Sequence, residues 1–297
     1  MARLTLPLFP VLVLVLVPAL APAQSKPSGK LSLRSVYVRI VDVTGKPSTG
    51  LTAADFEVTE GGVKRQVLKA GPATSPMRIA VFADTSDGAA NALNHIRTAL
   101  TSFADAVAPQ HELMLITTGR QMRIRVQPTT DRKKFKDAAS GLFSDGGATP
   151  LVDALLEVDD RFMRKAEDRF PVLVIITGDG AEGSAAAHET KFNEWAKTLQ
   201  SRGIAAHAVV IKYRGGGSPE VYANHVAVNA GGVYEYMNTS NALVDKLKLI
   251  SDRIASDFDI VSQKYQVTFE SETTVGSVMV GVARDGVRVD TTQGRLR

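Results

Sequence analysis

The 297-residue sequence contains no cysteine. That excludes disulfides, thiolate metal sites and a lipid-attachment cysteine, so whatever folds is held by its core alone. Aromatic residues are scarce, at 6% with a single tryptophan, and neither sign of charge dominates. Thirty-five basic residues against 31 acidic leave a formal net charge of +4. The one basic cluster, Arg132-Lys133-Lys134 with Lys136, has only Phe135 for an aromatic neighbour, which reads as a solvated helix face. A nucleic-acid groove needs a longer stripe with interleaved aromatics. The five histidines include no pair at metal-ligand spacing and no His-Glu-x-x-His. Ser184 lies in Gly183-Ser184-Ala185, which is not a nucleophile elbow. The glycine-rich stretch Gly178 to Ser184 has no phosphate-binding lysine. No internal repeat is present.

The longest apolar stretch, Leu4 to Leu20, is broken by Pro7, Pro10 and Pro18, which argues against a spanning helix. It follows Arg3 and precedes Ala21-Pro22-Ala23. This is the pattern of a secretory signal peptide over residues 1–23, cleaved after Ala23. A secreted or periplasmic protein without membrane attachment is therefore expected.

Residues 24–75 read as a short linker and an N-terminal β segment. Val36, Val38 and Ile40 alternate with their neighbours. Phe56 to Thr59 and Val63 to Leu68 flank Glu60-Gly61-Gly62 as a hairpin. From 76 to 257 the pattern changes to strand-length apolar runs alternating with helical stripes. The runs Ile79–Phe82, Leu113–Ile116, Val172–Ile176 and Ala206–Ile211 are nearly continuous, as parallel strands covered on both faces require. Met122 to Val126 alternates and fits an antiparallel edge strand. Leu93, Ile96, Leu100 and Phe103 form one helical stripe, and Leu151, Leu155, Val158 and Phe162 a second. Phe192, Trp195, Ala196 and Leu199 form a third, and Leu243, Leu247, Ile250 and Ile254 a fourth. The expected fold class is α/β, a doubly wound and mostly parallel sheet with helices on both faces. Residues 258–297 return to β, with Asp285-Gly286 as a hairpin turn. Neither β segment can make a core alone. They are expected to pair into one accessory β-sandwich, with the α/β domain inserted between them.

Three loops carry oxygen, two past strand ends and one opening a helical pattern. Asp84-Thr85-Ser86 follows the run ending at Ala83, Thr149 follows Gly146-Gly147, and Asp179-Gly180 follows the run ending at Thr177-Gly178. Ligands of open α/β sheets bind beyond such carboxyl ends. Two carboxylates with hydroxyls suit Mg²⁺, and less well Ca²⁺.

These residues, in this order and spacing, resemble the metal-ion-dependent adhesion site of von Willebrand factor A domains. Leu51-Thr52-Ala53-Ala54-Asp55-Phe56-Glu57-Val58-Thr59-Glu60-Gly61 resembles the stretch preceding that domain in secreted bacterial proteins of the acidobacterial von Willebrand A-related type. The resemblance implies a Rossmann-like fold and a protein-binding module that is not an enzyme. It implies Mg²⁺ ligated by Ser86 and Thr149, and fixed by Asp84 and Asp179 partly through waters. An unknown protein partner would offer an acidic side chain to the ion. The family's Asp-x-Ser-x-Ser is here Asp84-Thr85-Ser86-Asp87-Gly88, one oxygen short. A weak site is expected, strengthened by Gly88→Ser. A metal-independent structural or assembly protein of the same fold is the alternative. A Mg²⁺-dependent hydrolase would have only Asp87 and Glu182 as local bases.

Overall fold

The computed structural model describes residues 32–165, 169–213, 217–271 and 277–290. The expected signal peptide, residues 1–23, lies outside the described residues. The N-terminal segment forms β1 (Ser32–Val38), β2 (Ile40–Asp42), β3 (Phe56–Glu60), β4 (Val63–Arg65) and β5 (Val67–Pro72). The α/β part follows as β6 (Met77–Ala83), α1 (Leu93–Ala106), β7 (Glu112–Thr118), β8 (Met122–Thr129), α2 (Arg132–Ser140), α3 (Leu151–Val158) and β9 (Phe170–Gly178). It continues through α4 (Glu189–Thr198), β10 (Ala205–Ile211), α5 (Ser218–Asn229), β11 (Tyr234–Met237) and α6 (Leu243–Ser262). The chain closes with β12 (Tyr265–Ser271), β13 (Val278–Val282) and β14 (Val287–Val289).

Six strands make the central sheet in the order β11-β10-β9-β6-β7-β8. All its pairings are parallel except β7 with β8. This is the doubly wound sheet that the apolar runs predict. The runs are continuous because both faces are covered. Ile79, Val81, Val172 and Val174 pack with the stripes of α1, α2 and α6 on one face. Ala80, Phe82, Leu173 and Ile175 pack with α3, α4 and α5 on the other. All four predicted stripes point inward, with only Phe162 partly buried. From β6 the chain winds outward through β7 and β8, then returns to lay β9 on the other side of β6. The carboxyl ends of β6 and β9 therefore adjoin where the winding direction switches, which is where such sheets bind.

The two described β segments, 32–72 and 265–289, pair with each other. β12 lies between β1 and β5, β13 pairs with β3, and β14 pairs with β2, all antiparallel. Ile40, Leu51, Phe56, Val58, Tyr265, Val267 and Phe269 form their shared core. Two local expectations differ. The predicted second hairpin strand divides: β4 pairs with β3, while β5 leaves to pair with β12. Asp285-Gly286 does make a turn, with Gly286 at φ 77°. The strands it joins, however, pair with β3 and β2 rather than with each other.

Candidate functional site

Asp84 ends the central strand β6, and its side chain is completely buried. Its Oδ1 accepts the Ser86 N–H at 2.8 Å. Its Oδ2 accepts the Thr177 hydroxyl at 3.1 Å and the Gly178 N–H at 2.9 Å. Burial raises the carboxyl's pKa, and the bonds from Ser86, Gly178 and Thr177 oppose that rise. Asp84 thus pegs the end of β6 to the end of β9. Ser86 caps the turn that follows, its Oγ accepting the Gly88 N–H at 3.2 Å.

The second loop closes on the first. The Asp87 N–H donates to the Gly147 carbonyl, and the Gly147 N–H donates to Asp87 Oδ2, both at 3.1 Å. Gly146 and Gly147 take φ of 67° and 70°, a region that non-glycine residues avoid. Thr85 Oγ1 donates to Asp145 Oδ2 at 3.0 Å. Thr149 reaches the third loop through its backbone. Its N–H donates to Ala181 O at 2.9 Å, and its carbonyl accepts Gly183 N–H at 2.8 Å. The Thr149 hydroxyl is buried without a hydrogen-bond partner among the described residues. All four expected ligand positions, Asp84, Ser86, Thr149 and Asp179, therefore lie on loops bonded directly to one another or through β9.

Asp179 is differently used. Its Oδ1 accepts the Tyr213 N–H at 2.6 Å and its Oδ2 the Tyr236 hydroxyl at 2.8 Å. That bond, ahead of burial, pushes the Tyr236 phenol up to about 12. The Asp179 carboxylate holds the ends of β10 and β11 to β9. Glu182, a candidate base, is bonded through one oxygen. Burial raises its pKa; its Oε1 accepts the Ser184 N–H at 2.9 Å, and its Oε2 is buried without a hydrogen-bond partner among the described residues. Beside Asp179 a cavity of about 200 Å³ opens, lined by Asn91, Lys212, Tyr213, Ser240 and Asn241 among others.

Position 88 carries a second reason for its glycine. A Cβ there would stand 3.0 Å from Gly180 Cα and 3.1 Å from its nitrogen. The converse Cβ, on Gly180, would stand 2.9 Å from Gly88 Cα. The two backbones pack directly on each other, so a side chain at position 88 requires the loops to part by a few tenths of an ångström, which opposes the gain expected from the added hydroxyl. Gly88→Ser is expected to lower stability by about 1–3 kcal/mol, the usual cost of overpacking, with no Mg²⁺-dependent gain. Urea denaturation in Mg²⁺ and in EDTA measures both.

A hard cation wants six or more oxygens, with carboxylates among them. The loops offer the Asp84 carboxylate and the Ser86 and Thr149 hydroxyls. The second carboxylate is bonded to Tyr213 and Tyr236, and Gly88 supplies no oxygen. The protein oxygens alone fall short of six, and waters, which Mg²⁺ commonly retains, would have to complete the shell.

Thr177, Asp145, Tyr213 and Tyr236 take part without having been expected. Thr177 had a signal, since it adjoins Gly178-Asp179. Tyr236 had none, because its contact is 57 residues distant in sequence.

Residues 75–182 match the family model of the von Willebrand factor type A domain. A von Willebrand factor type A protein from Catenulispora acidiphila superposes with a TM-score of 0.52 at 11% identity, over 86% of this chain and 72% of that one. The conserved hypothetical protein BatB from Bacteroides thetaiotaomicron gives 0.47 at 16% identity, over 61% and 99%. The manganese-loaded TRAP protein of Plasmodium vivax gives 0.45 at 14%, over 84% and 82%. No curated protein matches the chain by sequence. The family match and the Catenulispora superposition agree on a von Willebrand factor A fold for the α/β part.

Proposed function

We propose that this chain is an exported protein-interaction module whose partner docks on the loops at the carboxyl end of the central sheet, without a resident cation. Domains of this type generally bind protein partners. The observation that carries the metal-free reading is the commitment of Asp179 to Tyr213 and Tyr236. The direct backbone packing of Gly88 on Gly180 supports it. In this reading Asp84, Asp87, Asp145 and Asp179 fix the shape of the crown, and the exposed side chains around them select the partner. For the hydrolase reading the local bases are Asp87, whose Oδ2 accepts the Gly147 N–H, and Glu182, whose Oε1 accepts the Ser184 N–H, and neither bond joins a base to a nucleophile.

One observation favours a second reading. The buried, unpartnered Thr149 hydroxyl is the kind of atom that a cation held by Asp84, Ser86 and Thr149 would satisfy. Thermal melting separates the two. A cation bound only by the folded state raises Tm by mass action. The expected result is the same Tm in Mg²⁺, Mn²⁺ and EDTA, with Asp84→Asn melting lower in all three. A Tm that rises with Mg²⁺, and a rise that Thr149→Ala abolishes, would establish the second reading instead.

A further inference from the structure

We propose that the partner presents an acidic protein segment, and that an arginine ledge on β8 receives it. The inference rests on the metal-free reading above: with no cation in the crown, the positive charge comes from side chains. Arg120, Arg123 and Arg125 form the ledge, with Phe143 beside it.

All three arginines lean on the loop that Asp87 ties into the crown. Arg120 lies in the β7–β8 turn, its Cβ and Cα 3.5 and 3.6 Å from where a Gly147 Cβ would stand. Arg123 Nη1 is 3.3 Å from Asp145 Oδ1, with its side chain half exposed. The Arg125 guanidinium sits 5.5 Å over the centre of the Phe143 ring. Arg120 and Arg125 have no carboxylate partner among the described residues. The pairing of β7 with β8 slips at this point. Leu115 faces Val126, whereas Ile116 faces Ile124, so Arg125 is the extra residue of a bulge. Bulges re-aim a side chain and cluster beside binding sites.

Charges along an edge strand have a simpler use, which is to discourage pairing with another sheet. That use explains the arginines. It does not explain a phenylalanine left half exposed beneath one of them. Arginine beside an exposed aromatic ring is the composition of an interface anchor. The guanidinium fork takes carboxylates two bonds at a time. The neighbouring groups favour protein over nucleic acid. Arg125 covers the ring that a base would stack on.

The test uses the full mature chain and a fluorescein-labelled peptide of glutamates around a central phenylalanine, followed by anisotropy in EDTA at low salt. The same peptide with lysines for glutamates, and an oligothymidylate, are the controls. The acidic peptide is expected to bind more tightly than either control. Arg120→Glu with Arg125→Glu, which leaves the Arg123–Asp145 pair in place, is expected to weaken it about tenfold or more. Phe143→Ala is expected to weaken it less, and Lys197→Glu, at the far end of α4, not at all. Unchanged melting of each variant shows that folding is intact. Absence of binding, equal binding by the double variant, or tighter binding of the oligothymidylate overturns the ledge. Binding that requires Mg²⁺ and is lost in Asp84→Asn overturns the metal-free reading instead.

Discussion

Glu60→Ala is expected to lower the stability of the folded chain by about 3–5 kcal/mol, the range for a buried charge pair robbed of one partner. Glu60 is 1% exposed, between the two larger sheets of the accessory module. Arg34 on β1 donates to its Oε1 at 2.7 Å, and Ser271 Oγ on β12 donates to the same oxygen at 2.7 Å. Arg65 Nε on β4 lies 3.1 Å from its Oε2. One carboxylate on β3 thus ties β1 and β12 of one sheet to β4 of its own. Removing it leaves two guanidiniums facing a gap, with Arg65 mostly buried. Since the module joins the two ends of the described chain, its loss also frees the edges of β1 and β13 for association. Urea denaturation measures the loss, and light scattering the association. The combined variant Arg34→Met, Glu60→Leu, Arg65→Met is expected to recover most of it, because the cost lies in the unpaired charge. A loss under about 1 kcal/mol in Glu60→Ala would mean that water reaches the arginines and the pair is a surface one.

How far the fold could be read beforehand depends on how local each signal is. The runs at 79–82, 113–116, 172–176 and 206–211 announce buried parallel strands because continuous apolarity has one explanation at that length. The helical stripes do the same for α1, α3, α4 and α6, whereas α5 and β11 carry no such signal. Strand partners are another matter. Asp285-Gly286 encodes its turn in two residues, but nothing in β13 or β14 says that β3 and β2 lie alongside. Those partners come from a segment more than 200 residues earlier, brought near only by the inserted α/β domain. The split after Arg65 fails to show for the same reason: β5 follows β12, not its neighbour.

The crown divides along the same line. Asp84, Ser86 and Asp179 are legible as oxygen-bearing residues just past strand ends and Thr149 as one just before a helix, and the three loops do converge. Position 88 shows its missing oxygen in the sequence. The packing that keeps glycine there depends on Gly180, in another loop. The orientation of Asp179 depends on Tyr236, on the edge strand β11, and on the backbone of Tyr213. A carboxylate at a strand end can serve an ion or its neighbours, and only the distant hydroxyl decides which. The motif thus picks out loops that converge while leaving the task of one of its carboxylates undetermined.

Acidification from pH 7 to pH 5 is expected to remove about 2 kcal/mol of stability for each of two buried histidines. His207, at the centre of β10, is fully buried; its Nδ1 accepts the Val233 N–H at 3.2 Å. His111 is 2% exposed; its Nδ1 accepts the Met77 N–H at 3.1 Å, and its ring packs edge-on against Phe258. Burial, and then Arg253 and Arg132 respectively, push these imidazoles down to about 4. A proton on either Nδ1 would set N–H against N–H. Both histidines are therefore neutral in the fold and protonate at about 6.5 in the unfolded chain. The unfolded state binds more protons below that value, so stability is intact above about 6.5 and falls as pH drops towards 4. Asp84 acts in the opposite sense. Its raised pKa costs stability at neutral pH and returns it as the carboxyl protonates, which tempers the acid loss. Urea denaturation at pH 7 and pH 5 measures the difference. Relative to the wild type, His111→Gln and His207→Gln should each lose about 2 kcal/mol less between the two pH values. Where a variant fails to fold, NMR titration of the wild-type rings serves instead, and a ring that protonates near 6.5 in the folded protein refutes its share of the effect.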